Sequence, residues 1–278
     1  MLEILLLNIG MILFAQENNK VDDIDLSKFS IKKTNICSIT VDKNNISMDP
    51  STLAYYNKLS TLDKKIYIRL ARNGFLKKDA KKDKPFIFVY KENGTFYMES
   101  LAHVDMSLKS ALPVIKDFPE YHSWLLKDIN TRRGGQGGEY FVEFQKMAYK
   151  KDLKGGFWDF RVKMNSIFGG YYTVAFRLED KLNEGPVPSF SMILKEASNI
   201  AHTMNGHFRF LHLPCDDTFF VGYFYGDTEL HWMLYDFLPV KVVNSQVGER
   251  IETMLENINY KADDVIIQKR RARHITKK

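Results

Sequence analysis

The sequence contains only two cysteines, Cys37 and Cys215, and no CxxC pair. A zinc ribbon and a CxxC redox motif are therefore excluded. A single disulfide is allowed, but nothing in the sequence supports it. The glycine-rich run RRGGQGG at 132–138 lacks the GK[ST] signature of a phosphate-binding loop, and no helix pattern follows it. That run predicts a mobile hairpin loop, which could gate the mouth of a pocket.

Long apolar runs are absent beyond the N-terminus. The first fifteen residues, MLEILLLNIGMILFA, are strongly apolar but short for a membrane-spanning helix. A polar stretch follows at once, which indicates a secretory signal peptide cleaved after Ala15. The match is incomplete, because no Lys or Arg precedes the run and Glu3 lies within it. We expect a periplasmic or secreted protein, or a cytoplasmic one if this segment is instead a buried element; an uncleaved anchor is the other alternative.

The body of the chain has no net charge. The whole sequence carries a formal charge of +6, and residues 265–278 contain six Lys or Arg and no acid, which leaves zero for the rest. We therefore expect no nucleic-acid partner. The basic tail either makes weak contact with an anionic membrane or is a solvated, frayed terminus.

The sequence divides into a signal peptide at 1–15, an N-terminal arm with a helical extension at 16–84, a main domain at 85–262 and a basic tail at 263–278. Residues 16–50 are polar and predict an extended or loosely ordered arm. At 50–73 apolar residues recur every three or four positions, which predicts a helix from Pro50 to just before Gly74. The Lys/Asp run at 77–84 predicts a solvated linker.

From Pro85 onward the apolar pattern has a period of two. Strands are predicted at 86–90, 95–106, 140–149, 157–168, 171–180, 189–198, 202–213 and 218–227, with a short helix at 108–118. In 157–164 the residues Trp158, Phe160, Val162 and Met164 share one face, opposite Asp159, Arg161 and Lys163. Such alternation predicts an antiparallel sheet with one buried and one wet face.

After Pro239 the apolar spacing returns to three or four residues. Val240, Val243, Val247, Ile251, Met254, Leu255 and Ile258 mark one face of a long helix. We therefore predict an α+β fold in which a curved antiparallel sheet wraps around this C-terminal helix.

Three stretches carry a resemblance to a known family: LPVIKDFPEYHSWL, FWDFRVKMN and LPVKVVNSQVGERIETMLENI. With the order of strands and helices, they resemble the helix-grip fold of the START-like superfamily (SRPBCC, Bet v 1-like). That superfamily includes polyketide cyclases, aromatase/cyclases and lipid-transfer START domains. The resemblance covers roughly residues 86–260 and is a pattern rather than a signature motif. It implies a cavity between sheet and long helix, with the short helix plugging one end.

The resemblance implies that the aromatic inner face lines a sterol, lipid or polyketide pocket. The predicted ligand-binding residues are Trp124, Trp158, Phe160, Val162, Tyr172, Phe176, Met192, Phe208, Phe210, His212, Phe224, Val247 and Ile251. We expect a monomer that binds a lipid or other hydrophobic small molecule without a cofactor; transport of that molecule is a role that such binding allows. The alternatives are a cyclase- or aromatase-type enzyme acting on a hydrophobic substrate, and an interaction protein with a filled core.

Candidate metal ligands and nucleophiles are few. His202, His207, His212 and Cys215 look like a ligand series. His207 and His212 differ by an odd number of residues, so they face opposite sides of one strand. His212 and Cys215 have no visible partner that would orient them as base and nucleophile. We predict no metal site and no catalytic residue.

Other charged residues have ordinary explanations. Asp227, Glu229 and His231 lie near a strand end and could serve acid–base chemistry or simply form a polar turn. Alternation places three basic side chains on the outward face: Arg161, Lys163 and Arg177. Of these, Arg177 could meet a ligand carboxylate only if a bulge reversed the faces.

Overall fold

The structure is a computed structural model that describes residues 24–77, 86–126, 142–153, 155–165, 171–196, 201–231, 235–236, 238–244, 250–251, 253–254 and 256–262; side chains at 142–144, 164–165 and 171–172 are not described. The chain forms two compact units, Met1–Ala80 with Leu213–Asp216, and Lys81–His212 with Asp217–Lys278. The predicted signal peptide, glycine-rich loop and basic tail lie outside the described residues, as does the linker after Lys77. No described helix is both long and apolar enough to cross a membrane.

The region predicted as a loose arm contains a small sheet. Its strands are β1 (Ser30–Lys33), β2 (Ile39–Asp42) and β3 (Asn45–Met48), in the order β1-β3-β2. β1 runs parallel to β3, and β2 runs antiparallel to it. Ile39, Ile46 and Met48 are fully buried. The prediction was wrong here because strands of four residues are too short to show a convincing period of two.

The predicted single helix at 50–73 is two helices, α1 (Pro50–Lys58) and α2 (Thr61–Arg72). Ser60 has an extended backbone, and its hydroxyl accepts a hydrogen bond from the Asp63 N–H at 3.1 Å. This hydroxyl is an N-cap that starts a second helix inside one apolar repeat. Asp49 caps α1 by accepting from two backbone N–H groups, and Pro50 lies in the first turn as predicted.

The two cysteines form a disulfide, a pairing for which the sequence offered no support. Cys37 and Cys215 are 178 positions apart, and their Cα atoms are 5.5 Å apart. Cys215 lies in the turn between the last two strands of the chain, within the same compact unit as Cys37. A cystine sulfur is no longer a nucleophile or a thiolate ligand, so Cys215 cannot serve in either role.

The larger unit contains a nine-stranded sheet, with the order β4-β5-β12-β11-β10-β9-β8-β6 and β7 beside β8. Its strands are β4 (Phe86–Glu92), β5 (Thr95–Val104), β6 (Val142–Phe144), β7 (Ala148–Asp152), β8 (Gly155–Asn165), β9 (Tyr171–Lys181), β10 (Ser189–Leu194), β11 (Ala201–Leu213) and β12 (Asp216–Leu230). The described registers in this sheet are antiparallel, as predicted. The strand predicted at 140–149 is interrupted, and its two halves, β6 and β7, pair with successive parts of β8.

Short helices connect β5 to β6. They are α3 (Leu108–Ile115), a 3-10 turn (Phe118–Glu120) and α4 (Tyr121–Trp124). Residues 240–244 and 256–262 are helical, as are 250, 251, 253 and 254. We call the helical residues between 250 and 262 the C-terminal helix.

The C-terminal helix packs against one side of the curved sheet. Ile258 and Ala262 belong to the same buried apolar cluster as residues of six strands, among them Val104, Phe160, Phe176, Phe190, Phe210 and Phe220. We call the side that carries these residues the inner face and the opposite side the outer face. The helix-grip fold predicted from the sequence is therefore confirmed.

The predicted wet outer face holds for only part of the sheet. On β8 and β9 the outer residues include the exposed Arg161 and the ion-paired Arg177. On β12, by contrast, the outer residues Phe219, Val221 and Tyr223 are fully buried. The outer side of β12 is thus buried as well, which the run of apolar residues in β12 indicates only weakly.

Candidate functional site

The structure gathers most of the predicted ligand-binding residues on the inner face. Trp124, Phe160, Val162, Phe176 and Phe210 belong to the buried cluster, and Trp158, Met192 and Phe208 pack against it half-buried. The ring of Phe224 lies 4.7 Å from that of Phe208. Whether these residues bind a ligand stays a prediction, but their position along one apolar surface is established.

Four other predicted residues are not part of the described buried cluster. Val247 and the side chain of Tyr172 lie outside the described residues. Ile251 is partly exposed on the C-terminal helix. His212 lies two residues beyond Phe210 on β11 and so projects to the same face; burial lowers the pKa of its imidazole, which favours the neutral form.

Cross-strand aromatic pairs build the inner face. Phe190 of β10 lies directly opposite Phe208 of β11, and their rings stack at 4.5 Å. Phe160 of β8 lies opposite Phe176 of β9, with ring centroids 5.5 Å apart. Such pairs stabilise adjacent strands beyond the area that they bury. They also give the inner face a continuous aromatic surface across four strands.

The aromatic residues at the end of the short helices are core residues. Phe118 is 1% exposed and contacts the rings of Trp158 and Phe190 at 5.9 and 5.6 Å. The Tyr121 hydroxyl donates to the Ile115 carbonyl. Burial raises the pKa of Tyr121 well above its usual value, so this hydroxyl stays protonated. The segment therefore closes one end of the inner face by direct packing.

The inner face is open farther along β12. Gly222 and Phe224, which alternate with the buried Phe220, are both partly exposed. An ideal Cβ at Gly222 would come no closer than 3.9 Å to any other heavy atom, the carbonyl oxygen of Ala102. An ideal Cβ at Gly226 would lie only 2.5 Å from the Asn205 carbonyl oxygen. Gly226 thus allows two strands to approach closely, whereas Gly222 leaves space above the sheet.

Sequence reasoning missed two features of this surface. Gly222 was not singled out, although a glycine inside the apolar run FFVGYFYG leaves the strand with no side chain to pack at that position. Lys91 pairs in register with Phe96, and its ammonium lies 4.7 Å from the ring centroids of both Phe96 and Tyr235. Extending the alternation of Ile87 and Val89 by one step would have placed Lys91 on the inner face.

Arg177 and Asp159, both on the outer face, are held in ion pairs. Arg177 pairs with Asp152 and, at 3.1 Å, with Glu179, and its guanidinium lies over the Phe157 ring. Asp159 accepts from Lys150 at 2.5 Å and from Lys195 at 3.0 Å. Burial alone would raise the pKa of Asp159, but these two lysines lower it overall. The outward orientation predicted for Arg177 is confirmed, so its guanidinium does not face the apolar surface.

The histidines do not converge on one metal position. His207 is within 2.9 Å of the Ser191 hydroxyl and stacks on Tyr225, and burial lowers the pKa of its imidazole. The His202 ring instead lies beside that of His231, tilted to it, with ring centroids 4.2 Å apart. Within the described ranges, the one group of three metal-type side chains is Cys37, Asp49 and Cys215, whose two sulfurs form the disulfide.

The acidic candidate near the end of β12 is also engaged. Asp227 accepts a hydrogen bond from the Asn205 side chain at 3.0 Å. Asn205 and Asp227 lie on neighbouring strands, so this bond ties β11 to β12.

Several solved structures are similar to this chain at low sequence identity. A START superfamily protein from Mycobacterium smegmatis matches at 13% identity over 61% of this chain and 98% of that one, with a TM-score of 0.39. The Zhui aromatase/cyclase from Streptomyces sp. R1128 matches at 13% identity over 62% and 96%, with a TM-score of 0.40. A STAR-related lipid transfer protein from Xanthomonas axonopodis matches at 9% identity over 67% and 96%, with a TM-score of 0.41.

At these identities and TM-scores, the similar structures do not indicate a ligand or a reaction for this chain. The fold is assigned from the strand order and the C-terminal helix described above. No protein-family model and no curated protein matches the sequence.

Proposed function

We propose that this protein binds a lipid or another hydrophobic small molecule, non-covalently, on the inner face of the larger sheet. The supporting observation is that Gly222 and Phe224 are partly exposed on the apolar inner face of β12, whereas the outer residues of the same strand are buried. A core filled by its own side chains would bury both faces of a central strand.

The driving force for binding is desolvation. The half-buried residues of the inner face include Met192, Met204, Phe208 and Phe224. Methionine side chains are flexible and adapt to irregular shapes, which suits a surface that receives varied apolar molecules. Covering such a surface contributes about 25 cal/mol for each Å² of apolar area removed from water. The rings of Phe190 and Phe160 provide a rigid floor beneath it.

The test fills the space above Gly222. Gly222→Leu places a side chain where the ligand would lie, and the Cβ that it adds comes no closer than 3.9 Å to the Ala102 carbonyl oxygen. We expect uptake of a fluorescent fatty acid to weaken about tenfold or more, because the leucine and the ligand compete for one volume. Thr173→Leu adds an equivalent side chain at an exposed outer position of β9 and should leave uptake unchanged.

Native mass spectrometry of the purified protein, with lipid extraction, checks the same proposal without a variant. A co-purified apolar molecule that is absent from Gly222→Leu supports it. Absence of both a co-purified molecule and fatty-acid uptake by the wild-type protein would overturn it, as would equal uptake by Gly222→Leu.

We also propose that the mature protein works in the periplasm or outside the cell. The Cys37–Cys215 disulfide supports this location, because structural disulfides persist in oxidising compartments and are rare in the cytosol. N-terminal sequencing of the exported protein should then start after Ala15. Recovery of a soluble cytosolic form with Met1 intact and both thiols reduced would contradict export.

A further inference from the structure

A buried polar atom with no partner lies beside the apolar inner face. The indole nitrogen of Trp124 is shielded from solvent and has no hydrogen-bond partner in the part of the chain that the structure describes. The whole residue is only 8% exposed. More than nine in ten buried polar groups in proteins are paired, and an unpaired donor costs about 1–3 kcal/mol. This donor therefore requires an explanation.

Two other polar side chains in this part of the molecule do have partners. The Asn257 side chain donates to the backbone carbonyls of Trp124 and Leu125 at 3.0 and 3.1 Å. The Tyr121 hydroxyl, next to the indole ring, donates to the Ile115 carbonyl. The side chains of Asn257 and Tyr121 thus have hydrogen-bond partners, whereas the Trp124 indole N–H has none among the described residues.

Trp124 also belongs to the cluster that lines the proposed binding surface. That cluster also contains Phe160 and Val162 of the sheet and Ile258 of the C-terminal helix. A donor at such a position is useful to a ligand that is apolar along most of its length and carries one acceptor atom. Pockets for small molecules commonly combine an apolar lining with a few polar groups that orient the ligand.

We infer that the ligand is an amphipathic molecule whose carbonyl, carboxylate or ether oxygen accepts a hydrogen bond from the Trp124 indole N–H. This inference rests on the proposed function, since it names the chemical class of the ligand. Long-chain fatty acids and their esters fit the class, and pure hydrocarbons do not. The N–H then selects among molecules that the apolar surface alone would bind similarly.

The experiment compares palmitate with hexadecane, two molecules with chains of equal carbon number, as competitors of bound pyrene. Wild-type protein should bind palmitate more tightly than hexadecane. Trp124→Phe keeps an aromatic ring but removes the N–H, so it should weaken palmitate about tenfold, the loss of one hydrogen bond to a charged group, and leave hexadecane unchanged. Thr173→Leu, at an exposed outer position of β9, should leave both affinities and the preference unchanged.

A second measurement does not depend on the variant folding. The three tryptophans of the chain give three indole N–H cross-peaks in a ¹H–¹⁵N NMR spectrum. Palmitate should move the Trp124 peak downfield, as a new hydrogen bond requires, and hexadecane should not.

The outcomes separate the two proposals. If neither molecule displaces pyrene and pyrene itself does not bind, the proposed function fails, and this inference fails with it. If both bind but the Trp124 peak stays in place and Trp124→Phe shows no loss of preference, only the inference is overturned. A Trp124 peak already at a hydrogen-bonded position without ligand, and unmoved by palmitate, overturns it equally.

Discussion

The outer and inner faces of β12 differ in burial in an unexpected direction. Phe219, Val221 and Tyr223 on the outer face are 1%, 0% and 2% exposed, whereas Gly222 and Phe224 on the inner face are partly exposed. In a fold that wraps a sheet around a helix, the helix-facing side would be expected to be the drier one. Along this stretch the outer residues are therefore the more deeply buried, whereas the residues that could serve a ligand lie on the opposite side.

The inner face itself changes along the strand. Phe220, near the turn, is fully buried and contacts the ring of Phe210 at 6.0 Å. Two and four residues farther on, Gly222 and Phe224 lose that close packing. One stretch of β12 therefore contributes to the core and the next leaves it incomplete.

The largest expected effect comes from truncating the outer face. Phe219→Ala removes a fully buried ring that stacks on His103 at 4.5 Å, and should lower the free energy of unfolding by about 3–5 kcal/mol. Phe224→Ala on the inner face should cost clearly less, because part of its ring is already in water. Urea unfolding of both variants tests the difference; equal losses would mean that the inner face is as tightly packed as the outer one.

Breaking the disulfide should have the next largest effect. A Cys37→Ser/Cys215→Ser double variant loses a cross-link that spans 178 positions, which should lower stability by about 2–4 kcal/mol, chiefly by releasing the unfolded chain. Fatty-acid uptake at a temperature where the variant is folded should not change, since neither cysteine lies on the inner face. Thermal unfolding with and without reductant is the measurement, and an unchanged midpoint would count against a structural role.

Two glycines of β12 provide a finer comparison. Gly226→Ala forces a methyl group against the Asn205 carbonyl oxygen, so we expect a loss of about 1–3 kcal/mol. Gly222→Ala meets open space and should be neutral within a few tenths of a kcal/mol, or slightly stabilising through the unfolded state. Chemical denaturation of the pair decides the point: a comparable loss at Gly222 would show that its surroundings are occupied.

The smallest effect is expected on the wet part of the outer face. Hydrogen bonds from Lys150 and Lys195 outweigh burial and lower the pKa of Asp159, so the carboxylate stabilises the folded state above its unfolded pKa of about 3.9. That contribution is lost as the pH falls through the lower, folded-state pKa. Asp159→Asn should cost no more than about 1 kcal/mol at pH 7, and its difference from the wild type should shrink progressively as the pH falls below about 3.9. A difference in unfolding free energy that persists undiminished below that pH would contradict this assignment.

Much of the larger unit could be predicted from the sequence. The alternation of Trp158, Phe160 and Val162 correctly assigned the faces of β8, because each side chain of a strand points opposite to its neighbours. The apolar repeat ending at Ile258 likewise identified the helix that packs on the sheet. These features depend on local periodicity, which the sequence displays directly.

Other features could not be predicted because they depend on contacts between distant residues. Cys37 and Cys215 pair only because folding brings positions 178 residues apart to a Cα separation of 5.5 Å. The unpartnered Trp124 N–H depends on which acceptors the fold brings near it.

By itself the sequence determined the alternating strands, the short helix that follows β5 and the helix that the sheet grips, since periodicity acts between near neighbours. Only the tertiary structure decided which faces of β12 are sealed and which stay open, and which polar atoms find partners. Burial and hydrogen bonding are properties of atoms from separate segments, and no pattern within a single segment contains them.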